Sequence, residues 1–276
     1  MLPFLRNDYI RGLKEGLEEV EVLDLMEVTE DAKEMWDSGE YKDDYNQRAK
    51  EKRDEYNREA AERGVKKEKK PHDQSRIKTR CSPMKIWEIM EAIKDNGEKK
   101  RAVEEMGFGA LKNIPNMKLA HKLIEKLLHK FDTTSCSLFG VEVSVEVVGK
   151  LLGIPSKGKA IPQSNSITKS NELGAKYKNK TLTQLGDDIK NMERIDKTFK
   201  EAFLLYILGH FLCPIVKNQP SQELYKALTI VSDATQYNWA KYVLDHLIEG
   251  IKKFQKGKST TGCIYLLMVS LITFCN

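Results

Sequence analysis

Five histidines and five cysteines are the side chains from which metal binding or nucleophilic chemistry would be built in this chain. The cysteines, Cys81, Cys136, Cys213, Cys263 and Cys275, are scattered, odd in number and free of C-x-x-C spacing. Cys213, Cys263 and Cys275 lie beside apolar residues, and the set suits reduced, buried thiols in an intracellular compartment better than disulfides or zinc. His121 and His129 stand too far apart to form a metal pair on their own, and His210 has no histidine or carboxylate at i+3 or i+4. His210 therefore reads as a hydrogen-bonded core or edge histidine. A cysteine nucleophile needs a histidine and an Asp or Asn held near it in space. Asp245-His246 together with Cys213 or Cys263 supplies those residue types, but adjacent helix positions point in different directions.

The stretch GIPSKGKA, residues 153–160, comes one letter short of the phosphate-binding loop G-x-x-x-x-G-K-[ST]. Such a loop needs a buried strand before it and a helix after it, so that backbone N–H groups point at the phosphates. Here a helical pattern precedes it, Pro162 stands where the helix should follow, and Ala160 replaces the hydroxyl residue that would hold magnesium. Gly153-Ile154-Pro155 reads instead as a helix stop.

The elements that position these residues are mostly helical. Ser82-Pro83 is an N-cap followed by a proline at the first helical position, and Ile86, Ile89, Met90 and Ile93 recur at helical spacing. A short helix over 99–106 is closed by Gly107-Phe108-Gly109. A third over 118–130 carries Leu119, Leu123, Leu127 and Phe131. Residues 135–143 alternate around a glycine and predict one short β-hairpin. Ser144 caps a helix that ends at Gly153. The Ser-, Lys-, Asn- and Gly-rich residues 156–180 read as a flexible linker. Helical signals return at Thr181. A strongly apolar helix runs over 197–213, ended by Pro214; Ser221 caps the next; and 236–254 carries the stripe Trp239, Val243, Leu247, Ile251 and Phe254. The apolar run 264–275 is shorter than the roughly 20 residues that span a bilayer, so a core helix is expected and no membrane partner.

With 276 residues, 40% of them hydrophobic, the chain can bury a real core, and its net charge of +5 is modest. The distribution of charge is uneven. Residues 15–44 hold thirteen acidic against two basic residues, and residues 45–80 hold thirteen basic against seven acidic. Large apolar residues are few in this region, so residues 1–78 are expected to form a charged arm, acidic then basic, largely disordered or loosely helical in the manner of a charge-laced coil. The fold class expected is mainly α: a multi-helix domain over 79–155 and 181–276, joined by the linker. Lys66, Lys67, Lys69 and Lys70, together with Lys157 and Lys159 and the rest of the basic loop (Lys169, Lys176, Lys178, Lys180), are candidate nucleic-acid contacts on charge alone.

Ordered along the chain stand Arg80-Cys81-Ser82-Pro83, Met106-Gly107-Phe108-Gly109 with Leu111, Phe131-Asp132, and Val148…Leu152-Gly153-Ile154-Pro155. Phe203…Leu212-Cys213-Pro214, Asp233…Tyr237-Asn238-Trp239-Ala240, Asp245-His246-Leu247 and Gly262-Cys263 follow. Their order resembles the plant mobile domain family, often labelled aminotransferase-like, over about residues 78–270. The resemblance implies a plant protein from a group found in transposable elements and as domesticated host genes, some of them nuclear and tied to transposon silencing and genome maintenance. It marks Cys81, Gly107, Phe108, Gly109, Phe131, Gly153, Pro155, Pro214, Asn238 and Trp239 as signature positions of structural character. It also implies a chain that stops where relatives usually continue.

The label itself is not supported by the residues. A pyridoxal-phosphate enzyme needs a Schiff-base lysine, a partner for the ring nitrogen and a phosphate cup at a helix start, and none of these is legible. No cofactor, metal or catalytic residue is expected. The reading is a noncatalytic nuclear interaction module with a protein partner. The alternative is a sequence-independent nucleic-acid binder acting through the basic arm and loop; a degenerate hydrolase or protease-associated fragment stands third.

Overall fold

The computed structural model describes residues 79–162, 167–214, 219–220, 222–257 and 259–275. The arm over 1–78, its four candidate lysines and the Ser221 cap lie outside the described residues. Residues 77–276 form one unit, so the two helical halves expected from the sequence share a single body. It is mainly helical, as expected.

The order is α1 (Pro83–Ile93), α2 (Gly97–Glu105), a 3-10 turn (Gly109–Asn113), α3 (His121–Lys130), β1 (Phe131–Asp132), β2 (Ser137–Leu138), β3 (Val141–Glu142) and α4 (Val145–Leu152). After these come α5 (Ile167–Tyr177), α6 (Leu182–Asn191), α7 (Lys197–Ile207), a π turn (Leu208–Leu212) and α8 (Gln222–Leu228). A 3-10 turn (Val231–Gln236), α9 (Trp239–Gln255) and α10 (Tyr265–Cys275) complete the chain. Local chemistry sets most of the boundaries. The Ser82 hydroxyl accepts from Lys85 N, with Pro83 at the first helical position, and Ser144, Asp196 and Asn238 cap α4, α7 and α9 in the same way. Thr181 and Gln184 close a reciprocal capping box on α6. Gly153 ends α4 in the left-handed conformation, φ +62°.

Two packed groups make up the interior. The nearly wholly buried α7 sits against α2, α6, α8 and the second 3-10 turn, while α1 packs on α6 and the π turn; α3 and α4 pack on α9 and α10. The side chains of α10 from Tyr265 to Met268 are all buried, with Ser270 and Leu271, and among the described residues no helix is long and apolar enough to cross a membrane. Two charged residues enter this interior with partners. The Lys99 ammonium donates to Ile189 O (2.9 Å) and Lys190 O (2.7 Å), the C-terminal carbonyls of α6. Glu201 on α7 accepts from Tyr177 Oη (3.0 Å) and Lys176 Nζ (2.7 Å).

One expectation is extended and two are corrected. The expected hairpin forms from Ser137-Leu138 and Val141-Glu142, and Phe131-Asp132 adds a third antiparallel strand beside Ser137-Leu138. The Asp132 carboxylate accepts from Thr134 N and Ser135 Oγ and so forms the turn that brings that strand in; the second turn uses Phe139 and Gly140, both at positive φ. The stretch 156–180, expected as a flexible linker, contains α5, which packs on α8 and places buried Tyr177 against Glu201. The helix expected over 197–213 changes pitch at Leu208, where a π turn begins; Cys213 N bonds Leu208 O at 2.9 Å. Gly209 lets the Leu182 side chain approach closer than a Cβ would allow, and Pro214 has no N–H to carry the ladder on.

Candidate functional site

Seven of the ten signature positions meet at one junction. Gly107 closes α2 at φ +82°, and a Cβ there would lie 2.7 Å from Pro155 Cγ and 3.3 Å from Thr235 Cγ2. A methyl on Gly109 would stand 2.7 Å from Glu104 Cγ, and one on Gly153 would overlap the Ala110 methyl. Phe108 is fully buried, edge-on to Trp239 with ring centroids 5.3 Å apart. Trp239 Nε1 donates to Ala234 O at 2.7 Å, and Ala240 N donates to Pro155 O at 2.9 Å. Asn238 caps α9 through Lys241 N at 2.8 Å. Two of these segments, around Pro155 and Trp239, are thus paired through their backbones, and the third, around Phe108, packs on them through side chains, with glycine where no side chain fits.

The other three signature residues lie elsewhere. Cys81 Sγ approaches Phe211 O (3.7 Å), and Ser82 N donates to His210 O (2.8 Å). Pro214 O accepts from Gly262 N at 3.3 Å. Phe131 is buried, and its carbonyl accepts from Gln255 Nε2 at 3.0 Å. All ten positions serve packing or backbone pairing.

The groups with nucleophilic or acid-base chemistry are tuned away from it. Burial pushes the Cys213 and Cys263 thiols well above the ordinary range, and burial with the Glu142 carboxylate raises Cys136, so the thiolate that would attack is disfavoured. Burial, with the positive charges of Lys85 and Arg80, lowers His210 to about 4. His210 is buried and lies edge-on to Tyr206, as the core reading expects, but its Nε2 has no hydrogen-bond partner among the described residues, which the expected hydrogen-bonded histidine would have had. His246 Nδ1 donates to Tyr242 O at 3.0 Å, whereas Asp245 pairs with Lys241. The adjacent Asp and His therefore do not orient one another. Among the described residues no group of three or more His, Cys, Asp or Glu is placed to hold a metal.

The basic loop is divided. Lys157 and Lys159 are exposed, and Lys159 is pinned through its backbone: its N donates to Gln236 O (2.8 Å) and its O accepts from Asn238 N (2.9 Å). This is the 153–160 stretch that imitates a phosphate loop; Gly158 at φ +112° packs against Gln236 O, so its backbone pairs with protein rather than facing an anion. Lys176 is tied to Glu201 and Lys180 to Asp188. Two further groups of exposed lysines were passed over in the sequence. Lys122, Lys126 and Lys130 line α3, and Lys252, Lys253 and Lys256 lie at the end of α9. Their i,i+4 spacing is legible in the sequence; the meeting of two helices 120 residues apart is not.

The family described as "Domain of unknown function (DUF8566)" matches residues 79–268, more than two thirds of the chain, and the chain belongs to that family. Comparison with curated proteins and with solved structures gives no match.

Proposed function

We propose that this DUF8566 chain is a noncatalytic nuclear interaction module, related to the transposon-derived plant mobile domain proteins that its ordered sequence blocks resemble, and that it works in transposon silencing or genome maintenance with a protein partner. The observation that carries the reading is the junction of Gly107, Phe108, Gly153, Pro155 and Trp239. The positions that define the resemblance are used for packing, and burial raises the Cys136, Cys213 and Cys263 thiols and lowers the buried His210. A scaffold of this kind acts through its surface. A fluorescently tagged full-length chain expressed in plant cells is expected in the nucleus and retained on chromatin after detergent extraction. Exclusion from the nucleus, or complete release by detergent, overturns the reading.

One observation favours a second reading, sequence-independent binding of nucleic acid. Residues 79–276 hold 29 basic and 20 acidic side chains, an excess of nine, against a deficit of four over residues 1–78, which hold 17 and 21. Positive charge is concentrated on the folded part, where phosphates would be met by a fixed surface.

A further inference from the structure

The turn between α1 and α2 holds the only Asn-Gly dipeptide of the 276 residues, Asn96-Gly97. Asn96 is the N-cap of α2. Its Oδ1 accepts from Lys99 N at 3.0 Å, its backbone O accepts from Lys100 N at 3.1 Å, and its N donates to Ile93 O at 3.1 Å. Residues 94–98 are all exposed. Gly97, the first residue of the helix, has open space where a Cβ would stand. Its N–H finds no acceptor among the described residues, as is usual for a first helical position.

An asparagine followed by glycine carries its own nucleophile. The Gly97 nitrogen loses its proton and forms a bond to Asn96 Cγ; the carboxamide C–N bond then breaks, and its nitrogen leaves with a proton as ammonia. Water next adds across a C–N bond of the five-membered imide. Opening on the Cγ side gives an aspartate on the ordinary main chain. Opening on the side of the Asn96 carbonyl gives the iso form, whose main chain runs through Cβ and Cγ. The sum is a carboxamide and a water turned into a carboxylic acid and ammonia. Two features favour ring closure here: the attacking N–H has no hydrogen bond to surrender, and glycine puts no Cβ in its path. One feature opposes it. At ψ 101° the Gly97 nitrogen is turned away from Cγ, so the ring closes only when the first turn of α2 opens. The exposed end of a nine-residue helix is where such opening is easiest.

We propose that Asn96-Gly97 is a self-modification site, at which the folded chain converts the Asn96 amide to a carboxylate without an enzyme. The two products act differently on α2. The ordinary aspartate keeps the cap and adds a negative charge at a helix N-terminus, where the macrodipole favours it. The iso form moves the side-chain carbonyl into the main chain, and the first turn of α2 loses its cap. Lys99 lies in that turn with its ammonium on Ile189 O and Lys190 O, so uncapping loosens the tie between α2 and α6.

The test ages the full-length chain at mildly alkaline pH for several days, both native and in urea, and follows every asparagine by peptide mass spectrometry, which reads the amide-to-acid mass shift. In the native chain Asn96 is expected to convert ahead of the exposed Asn113, Asn116, Asn179 and Asn191, into both products, and Gly97→Ala is expected to remove most of the conversion. Circular dichroism confirms that the variant folds; if it does not, the wild-type chain decides alone. An Asn96 that stays intact in the native chain while converting in urea shows that the cap suppresses the reaction, and overturns the proposal. Conversion no faster than at the other four positions, or as fast in Gly97→Ala, overturns it too. Hydrogen exchange over residues 97–105 is expected to quicken in the aged chain and not in Asn96→Asp, which supplies the capped product; equal protection in both overturns the uncapping.

Discussion

Replacing Gly153 by alanine tests whether the signature positions are there for packing. Two costs add. Gly153 closes α4 at φ +62°, and an L residue held in that left-handed region costs about 1–2 kcal/mol. The new methyl would also overlap the Ala110 methyl, the only other atom within 4 Å being Ala110 Cα at an ordinary 3.6 Å. Overpacking of this kind costs about 1–3 kcal/mol, so Gly153→Ala is expected to lose about 2–5 kcal/mol in all. Because a single methyl makes the clash, Ala110→Gly should remove the steric part and leave the backbone part. Urea unfolding followed by circular dichroism gives the double-mutant cycle, with a coupling of about 1–3 kcal/mol expected between positions 153 and 110. For a unit of this size each kcal/mol shifts Tm by about 2–4 °C, which a thermal melt also reads. A Gly153→Ala chain as stable as wild type, or a cycle with no coupling, would refute the account of the junction.

His210 carries a pH dependence whose sign follows from its environment. Its folded value of about 4 lies below the ordinary 6.5, so the unfolded chain binds the proton more readily. The stabilisation is present above pH 6.5 and drains away as pH falls toward 4. Between pH 7 and pH 5 this group alone should take about 2 kcal/mol from the unfolding free energy, and His210→Gln should flatten that part of a urea-midpoint profile; an unchanged slope counts against the buried neutral imidazole. The raised Cys136, Cys213 and Cys263 thiols are expected to react slowly with an aromatic disulfide reagent at pH 8 in a Cys275→Ser background and rapidly in urea. Fast labelling of the native chain at Cys213 or Cys263 would contradict their burial.

What could be read from the sequence was local. Ser82-Pro83, Ser144, Thr181 and Gly153 act within one turn of themselves, so cap and stop residues locate helices without knowledge of the rest of the chain. The outcomes that were missed depend on partners far away in sequence. Helix α5 carries Ser170, Asn171 and Gly174, residues of weak helix propensity, but Tyr177 and Lys176 reach Glu201 on α7, and tertiary contact overrides propensity. The third strand at Phe131-Asp132 needed Asp132 to hold a turn two residues on. At the π turn the Leu182 side chain, 27 positions upstream, lies where a Cβ on Gly209 would stand, a contact no local pattern shows. The lysine rows on α3 and α9 were not singled out from the sequence, although their spacing is legible there, and only the Gln255 bridge shows that the two helix ends adjoin.

The distribution of charge between interior and surface links these observations. Where a charged group enters the core it is given partners: Lys99 receives two helix-terminal carbonyls, and Glu201 receives a phenol and an ammonium. Burial of an unpaired charge would cost several kcal/mol, which these partners avoid, whereas the lysines of α3 and the end of α9 are exposed. Surface ion pairs contribute about 0–1 kcal/mol each, and the Gln255 amide already joins the two helix ends. Substituting those lysines should therefore leave stability almost untouched while altering the salt dependence of any polyanion contact. Junction residues, packed without room for another methyl, and exposed lysines on α3 and α9 should therefore differ sharply in what their substitution costs the fold.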